Sequence, residues 1–359
     1  MTKDDAIHYH ALDGLRGIAA LVVVIAHMSI RTDLQDFLRI SGLGQIGVML
    51  FFALSGFLMM HVTQGKQCRT YVHDFMVKRL SRVYPLYFFV VLLAFLTSFI
   101  PAKDHFLSIY RIEDISSVFH HLILIDGNVV LWTISIEIIF YIIFPVFWLA
   151  KDKGWIYFYI LVVSVFIAQQ TVYGALRWGD LETAFLRIIP RGHMFLIGMA
   201  VYPIFLAMKE RMVVFDVLLI ISLFALGINL QEVSKSIFGH GIYVWKNTAA
   251  VISCGAILIC VVFSKHLRLF FEYKISIFLG KISYSIYLTH MFVLNALVVY
   301  TGWETSDKIA YWAAGFLLTI LISCLTYKFI ESPFRSMLNQ RFCTGVSTGI
   351  ADAKARKAL

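Results

Sequence analysis

The chain has 359 residues, of which 60% are hydrophobic and 15% are charged, and its mean hydropathy is +0.79. Soluble domains contain about 45–50% apolar residues, so this composition excludes an ordinary soluble domain and indicates a polytopic membrane protein. We attribute the net charge of +9 to anchoring at the inner membrane surface and attraction to anionic headgroups; it gives no signal of nucleic-acid binding.

Ten apolar segments approach the length that a bilayer requires. A transmembrane helix needs about 20 residues to cross a hydrocarbon core of about 30 Å. We therefore predict an all-α bundle of about ten transmembrane helices, with nine or eleven as the alternatives. The sixth segment contains Arg187, Pro190, Arg191 and His193, so we expect it to be broken or partly re-entrant. The segments are residues 14–32, 43–62, 84–102, 129–150, 155–173, 183–207, 212–230, 247–264, 277–300 and 309–330.

The connections between these segments carry an asymmetric charge. With a cytoplasmic N-terminus, 19 lysines and arginines lie on the inner side and 8 on the outer side, so the positive-inside rule predicts that both termini are cytoplasmic. We interpret the first segment as a retained helix rather than a signal peptide. We predict one membrane-embedded domain over residues 1–335, with Pro333 ending the tenth helix, and a basic, disordered tail over 336–359. The five cysteines show no metal spacing, and we expect neither a metal site nor disulfides.

The first segment places a histidine, His27, deep in an apolar helix. Arg16 precedes it by eleven residues; at about 100° and 1.5 Å per residue, the two side chains share one helix face and lie about 16 Å apart. An ionisable group at that depth is costly unless it faces the bundle interior or a water-filled cavity. From depth alone, a functional histidine and a satisfied histidine in a helix interface are equally good interpretations.

The second and third segments each leave two interpretations. Small residues around Ser55 in the second segment favour close helix packing over a catalytic serine. The stretch FMVKRLSRVYP follows, and we expect the third helix to begin at its Pro85. Its Arg79 and Arg82 share a helix face, which fits either a snorkelling interfacial helix or a phosphate clamp.

Depth arithmetic brings further polar residues to the level of His27. Counted from the ends of their segments at 1.5 Å per residue, five ionisable side chains from four helices reach about 12–18 Å into the membrane. We expect them to satisfy one another around a shared cavity. They are His27, Glu137, Arg191, His193 and His290.

Seven blocks of the chain together resemble the acyltransferase-3 family of integral membrane acyltransferases. The first block, with its arginine and histidine, is the most specific; the second has Met49 where an acidic residue is common in the family. The resemblance implies about ten helices and a hydroxyl acceptor, usually on a cell-envelope glycan. The blocks are LDGLRGIAALVVVIAH, GVMLFFALSGFL, FMVKRLSRVYPLY, LWTISIEIIFYIIFP, FLIGM, FLGKISYSIYLTH and TYKFIESPFR.

The resemblance also implies the donor and the site. Acetyl-CoA or another acyl-CoA would bind from the cytoplasmic side of the bacterial inner membrane. Carried over by motif, Arg16 and His27 are the essential pair, Arg79 and Arg82 lie near the acyl-CoA, and Glu137 fills the acidic position of the fourth block. We add Lys281 and Tyr284 to the donor site, and we assign Arg191, His193 and His290 to the acceptor. The expected partners are acyl-CoA, a glycan or lipid-linked glycan and the lipid bilayer; the oligomeric state has no signal in the sequence.

The chemistry requires a base or a covalent acyl carrier, because an ester must form from a thioester. We assign this role to His27, with Glu137 orienting or charge-balancing an imidazole. Arg16, Arg79 and Arg82 would hold the CoA phosphates. The alternatives are succinyl instead of acetyl transfer, and a proton-coupled transporter with a polar site at the membrane midplane.

Overall fold

The computed structural model describes residues 8–34, 40–99, 108–110, 112–175 and 186–344. Within these ranges the regular elements are helices, and no strand forms apart from one isolated bridge between Met212 and Ser264. The predicted all-α bundle is therefore confirmed.

Seventeen α-helices lie in the described part of the chain. They are α1 (His10–Arg31), α2 (Leu43–Val62), α3 (Cys68–Ser98), α4 (Ile115–Leu122), α5 (Trp132–Lys153), α6 (Trp155–Ala175), α7 (His193–Ala200), α8 (Tyr202–Ala207), α9 (Val213–Ile228), α10 (Gln231–Phe238), α11 (Thr248–Phe263), α12 (Arg268–Phe271), α13 (Lys274–Lys281), α14 (Ser283–Thr301), α15 (Trp303–Ser306), α16 (Lys308–Thr326) and α17 (Ser332–Phe342).

Each of the ten predicted segments contains all or part of one apolar helix or, in the sixth and ninth, of two. In the described part of the chain, seven helices are long and apolar enough to cross a membrane, and the pair α9 and α10, bent by 83°, would make eight. The shorter apolar helices His193–Ala207 and Thr248–Phe263 cover the other two segments. The number of ten spans and the cytoplasmic termini stay predictions.

The sixth segment is broken, as its polar residues predict. A 3₁₀ turn at Leu186–Ile188 is followed by irregular backbone around Pro190, and α7 begins only at His193.

Two prolines do not act as we expected. The third helix does not begin at Pro85: α3 runs without interruption from Cys68 through this proline, which helices packed in a membrane tolerate because neighbouring groups satisfy the freed carbonyl. Arg79 and Arg82 therefore belong to a long helix and not to a separate interfacial one. Pro333 does not end the last helix either, because it occupies the first turn of α17, where no backbone N–H is required.

The C-terminal end of the bundle differs from the predicted domain boundary. A π-helical turn, Tyr327–Glu331, joins α16 to α17, and α17 continues to Phe342. The predicted tail over 336–359 thus begins inside a helix. Residues 345–359 lie outside the described residues, and their disorder stays a prediction.

Glycines bring the helices that carry the site into backbone contact. A Cβ atom at Gly198 of α7 would lie 1.8 Å from the carbonyl oxygen of Ala53 in α2, and one at Gly56 would lie 2.2 Å from that of Phe195. Similarly, a Cβ atom at Gly280 of α13 would lie 2.0 Å from the carbonyl oxygen of Asp13 in α1. The small residues of the second segment therefore serve close packing, as predicted.

Candidate active site

Three adjoining cavities follow the bundle from one end towards the other. The first, named the inner mouth after the predicted orientation, has a volume of about 700 Å³ and lies at the end of the bundle where α1 begins. Most of its charged side chains are cationic, so it suits an anionic ligand. The basic residues that line it are Arg16, Lys66, Lys78, Arg79, Arg82, Lys281 and Arg335, and the acidic ones are Asp13, Asp74 and Glu331.

The second cavity, the central chamber, has the smallest volume of the three, about 60 Å³. It shares Arg16, Arg79 and Arg82 with the inner mouth, so these guanidinium groups stand at the junction of the two cavities. Its other polar side chains are Ser55, Thr133, Glu137, Tyr141, Ser283, Tyr284 and Tyr287.

The third, the outer cavity, has a volume of about 260 Å³ and is lined by His27 together with Gln45, Trp132 and Trp245. It shares Val48 and Tyr287 with the central chamber. The helix period places Arg16 and His27 on one face. Arg16 lines the central chamber and His27 lines the outer cavity, and these two cavities meet at Val48 and Tyr287.

A carboxylate network occupies the central chamber. Oε1 of Glu137 accepts a hydrogen bond of 3.0 Å from the hydroxyl of Ser55 and a very short one from the hydroxyl of Tyr141. The guanidinium groups of Arg16 and Arg79 interact electrostatically with this carboxylate. The partners of Glu137 are thus hydroxyl and guanidinium groups and not the imidazole that we expected it to orient.

The π-helical turn places the carboxylate of Glu331 at the inner mouth. Glu331 is 3% exposed and accepts a hydrogen bond of 2.8 Å from Ser285. Arg16, Arg82 and Arg335 lie within electrostatic range of it. Glu331 therefore offsets part of the repulsion among these guanidinium groups.

The two further residues that we predicted for the donor site also line these cavities. The ammonium group of Lys281 lies in the inner mouth, 5.4 Å from the ring centre of Tyr327. Tyr284 lines the central chamber, but its hydroxyl donates to the backbone oxygen of Val83 at 2.5 Å. It therefore ties α14 to α3 just beyond Arg82.

Two histidines from α1 and α14 meet beside the outer cavity. Nδ1 of His27 lies 2.9 Å from the carbonyl oxygen of Val23, and Nδ1 of His290 lies 3.1 Å from that of Ile286. A carbonyl oxygen only accepts, so both Nδ1 atoms carry a proton. Nε2 of His290 is then an acceptor, and it lies 3.3 Å from Nδ1 of His27. This arrangement leaves the lone pair of His27 on Nε2.

Arg191 and His193, the residues of the broken sixth segment that we assigned to the acceptor, do not line the outer cavity. The guanidinium carbon of Arg191 stands 4.5 Å from the ring centre of Trp132 and 5.6 Å from that of Trp245. Arg191 also bonds to Tyr243, and burial raises the pKa of this phenol. His193 is 4% exposed, and its Nδ1 lies 3.4 Å from the amide nitrogen of Gln169.

The five ionisable residues that we expected around one shared cavity thus lie in or beside different cavities. His27 and His290 are in contact, Glu137 lies in the adjoining chamber, and Arg191 reaches the outer cavity only through the indoles. Sequence reasoning undervalued Ser55 and did not identify Tyr141 as the partner of Glu137. The spacing of four residues between Glu137 and Tyr141 was the available signal, because such residues are neighbours on a helix.

A group of potential metal ligands lies at the inner mouth. The side chains of His8, His10 and Asp13 each offer one ligand atom, and these atoms lie within 4.8 Å of one another. Nε2 of His8 is 2.6 Å from the carboxylate of Asp13, and Arg16 lies 3.6 Å from the same carboxylate. Both histidines are exposed, so the geometry is that of an ordinary surface ion pair.

Known proteins resemble the chain over most of its length. The sequence profile of an acyltransferase domain matches residues 9–328. The O-acetyltransferase OatA of Staphylococcus aureus strain NCTC 8325 is 26% identical over 354 residues, covering 90% of this chain and 57% of that protein. A putative O-acetyltransferase of S. aureus strain COL is 24% identical over 359 residues, with the same coverage. The chain therefore spans little more than half the length of these relatives. No solved structure matches it.

The profile match extends from the residue before α1 into the π-helical turn. It includes the arginines at the junction of the inner mouth and the chamber, the carboxylate of Glu137, His27 of the outer cavity and His290 beside it. The chain therefore belongs to the acyltransferase-3 family of multi-pass membrane acyltransferases.

Proposed function

We propose that the protein is an O-acyltransferase of the bacterial inner membrane, which moves an acetyl group from cytoplasmic acetyl-CoA to a hydroxyl of a cell-envelope glycan or lipid-linked glycan. The observation that carries this proposal is the series of three adjoining cavities, with guanidinium groups at one junction and an imidazole at the far end. The names of the two relatives, both O-acetyltransferases, support the acetyl group.

The inner mouth supports a phosphorylated donor. Arg79 and Arg82 project from one face of α3, and Arg16 joins them from α1. Guanidinium groups bind phosphate oxygens in a planar, bidentate geometry. The phosphates of CoA would bind here, and the thioester would reach through the narrow chamber towards Val48 and Tyr287.

The tautomer of His27 supports its role in the chemistry. With a proton on Nδ1, its Nε2 is free to take the proton of the acceptor hydroxyl while the hydroxyl oxygen attacks the thioester carbonyl; the C–S bond then breaks, and the leaving CoA thiolate takes the proton from Nε2. Alternatively, Nε2 attacks the thioester carbonyl and the C–S bond breaks to leave an acetyl-imidazolium and CoA thiolate; the acceptor hydroxyl then attacks the acetyl carbonyl, the bond to Nε2 breaks, and the hydroxyl proton passes to the thiolate. In either route the positive charge on the ring is shared with the carbonyl oxygen of Val23 and with His290.

The test uses the full chain in lipid nanodiscs with radiolabelled acetyl-CoA and an envelope glycan fraction as acceptor. We expect His27→Gln to bind acetyl-CoA as the wild type does but to lose transfer by about 10²–10⁴-fold, the usual contribution of a general base. Arg16→Ala should weaken acetyl-CoA binding. His73→Gln, an exposed histidine on α3, is the matched control and should keep full activity.

Three outcomes would contradict parts of this proposal. Full transfer by folded His27→Gln would remove His27 from the chemistry. A preference for succinyl-CoA would change the donor. Absence of acetyl-CoA binding by folded wild type, with proton-coupled uptake of a solute instead, would favour the transporter.

A further inference from the structure

The two ends of the cavity series differ in charge. Seven lysines and arginines line the inner mouth, whereas among the residues that the structure describes, His27 is the one histidine, lysine, arginine or acid that lines the outer cavity. A site without cations or carboxylates gives an anionic or cationic ligand no compensation for lost hydration. The outer cavity therefore suits a neutral ligand.

Two indoles form an apolar wall of the outer cavity. The ring centres of Trp132 and Trp245 lie 6.4 Å apart, with the planes at 69°. The guanidinium group of Arg191, which does not line the cavity, makes cation–π contacts with both rings. Within the described part of the chain, neither indole N–H donates a hydrogen bond to the protein. The wall thus offers both apolar surface and donors, the combination for which tryptophan is used in binding sites.

Polar groups face this wall from the start of α2. Gln45 is exposed, lines the cavity, and its side-chain amide makes no hydrogen bond to the described residues. In the segment before α5, Val129 has a φ of +53°. A β-branched residue adopts this conformation only when its surroundings impose it. Val129 and its neighbour Val130 both line the cavity.

We propose that the outer cavity is the acceptor site and that it takes a neutral pyranose ring. The apolar C–H surface of the sugar would lie on the indole of Trp132, its hydroxyls would bond to Gln45 and the indole N–H groups, and one hydroxyl would lie at Nε2 of His27. This inference rests on the proposed function and specifies its acceptor. It moves sugar recognition from Arg191, His193 and His290 to residues that line the cavity.

The experiment measures CoA release by the full chain in nanodiscs with acetyl-CoA and saccharide probes. The neutral probes are tetramers of glucose, galactose and N-acetylglucosamine, and the anionic probe is a tetramer of galacturonate. We expect at least one neutral tetramer to stimulate CoA release in a saturable way, and the galacturonate tetramer to do so at least about tenfold less efficiently.

Two mild variants test the residues. Trp132→Phe keeps most of the ring but removes the N–H group, and Gln45→Ala removes the amide. Each should raise the half-saturating concentration of the neutral tetramer about tenfold, the value of one lost hydrogen bond in a buried site. Acetyl-CoA binding should not change in either variant. Trp155→Ala, a tryptophan that is 40% exposed and lines none of the three cavities, should behave as the wild type does.

The possible outcomes separate this proposal from the proposed function. Three outcomes would each overturn the neutral-sugar site alone. The galacturonate tetramer could stimulate CoA release as well as a neutral tetramer does, or both variants could keep the wild-type half-saturating concentration. No neutral tetramer could stimulate CoA release while acetyl-CoA still binds and is slowly hydrolysed. Loss of acetyl-CoA binding by folded wild type would instead overturn the proposed function.

Discussion

Nε2 of His290 lies 3.3 Å from Nδ1 of His27, so a histidine of α14 is, beside the carbonyl oxygen of Val23, one of two acceptors for the proton on Nδ1 of the α1 histidine. His290 is fully buried and its own Nδ1 is bound to Ile286. It lines none of the three cavities, so we expect it to act through His27, as a positioning residue.

Replacement of His290 should slow transfer without weakening donor binding. In His290→Ala the proton on Nδ1 of His27 loses one of its two acceptors; a lost hydrogen bond in a buried site costs about 1–3 kcal/mol, or about 5- to 150-fold in rate. His290→Gln, which offers a carbonyl acceptor, should recover part of the loss. The measurement is the maximal rate of acetyl transfer beside the dissociation constant of acetyl-CoA.

A merely structural role of His290 would give a different pattern. Both variants would then lose thermal stability and donor affinity together, and glutamine would not restore the rate. Such a result would contradict the positioning role.

The arginines of α3 should bind the donor through the shape of the guanidinium group as well as its charge. Arg79→Lys and Arg82→Lys keep the charge but lose the bidentate fork. A hydrogen bond to a charged group contributes about 1.5–3 kcal/mol, so the dissociation constant of acetyl-CoA should rise about tenfold or more. Titration calorimetry measures it, and Arg69→Lys, an exposed arginine of the same helix, should change nothing. Unchanged affinity in both variants would contradict a phosphate clamp.

Local rules of sequence predict much of this architecture. Apolar length locates the ten helical segments, and the helix period places Arg16 and His27 on one face and Arg79 and Arg82 on another. The contacts between helices are not predictable in this way. The pairs Ser55 with Glu137 and His27 with His290 join helices far apart in the chain, and a single sequence does not show how one helix is rotated against the next.

The prolines show a second limit of such reasoning. A proline predicts a helix end because it lacks an N–H group. Pro85 lies inside α3 and Pro333 in the first turn of α17; both positions are tolerated for reasons that depend on neighbouring elements. The same holds for the π-helical turn that delivers Glu331, since nothing local in TYKFIESPFR distinguishes it from an α-helix.

Close packing between α2 and α7 should make Gly198 a determinant of stability. The Cβ atom of Gly198→Ala would meet the backbone of Ala53, which cannot yield as a side chain would, and overpacking of this kind costs about 1–3 kcal/mol. Gly227→Ala in α9 is the matched control, because nothing lies within 4 Å of its Cβ position. Thermal unfolding in detergent should show a lower midpoint for the first variant and an equal or higher one for the second. Equal unfolding midpoints for the two variants would contradict the close backbone contact between α2 and α7.

The junction between the central chamber and the outer cavity should separate donor binding from transfer. Val48 is 7% exposed and lines both cavities, so a larger side chain at this position would fill the passage towards His27 without reaching the arginines of the inner mouth. We expect Val48→Phe to bind acetyl-CoA with wild-type affinity and to lose at least about tenfold of the transfer rate, because an acyl group misplaced by about 1 Å already costs about 10²-fold.

The control for this variant is Val146→Phe, the same substitution at a valine of α5 that is 55% exposed and lines none of the three cavities. It should leave both donor affinity and transfer unchanged. If Val48→Phe transferred acetyl groups at the wild-type rate, the acyl group would have to reach the acceptor by a route other than this junction. If it lost donor affinity as well, binding of acetyl-CoA would have to depend on the space beside Val48 and not on the arginines of the inner mouth alone. The two measurements together therefore locate the point at which the donor ends and the acceptor begins.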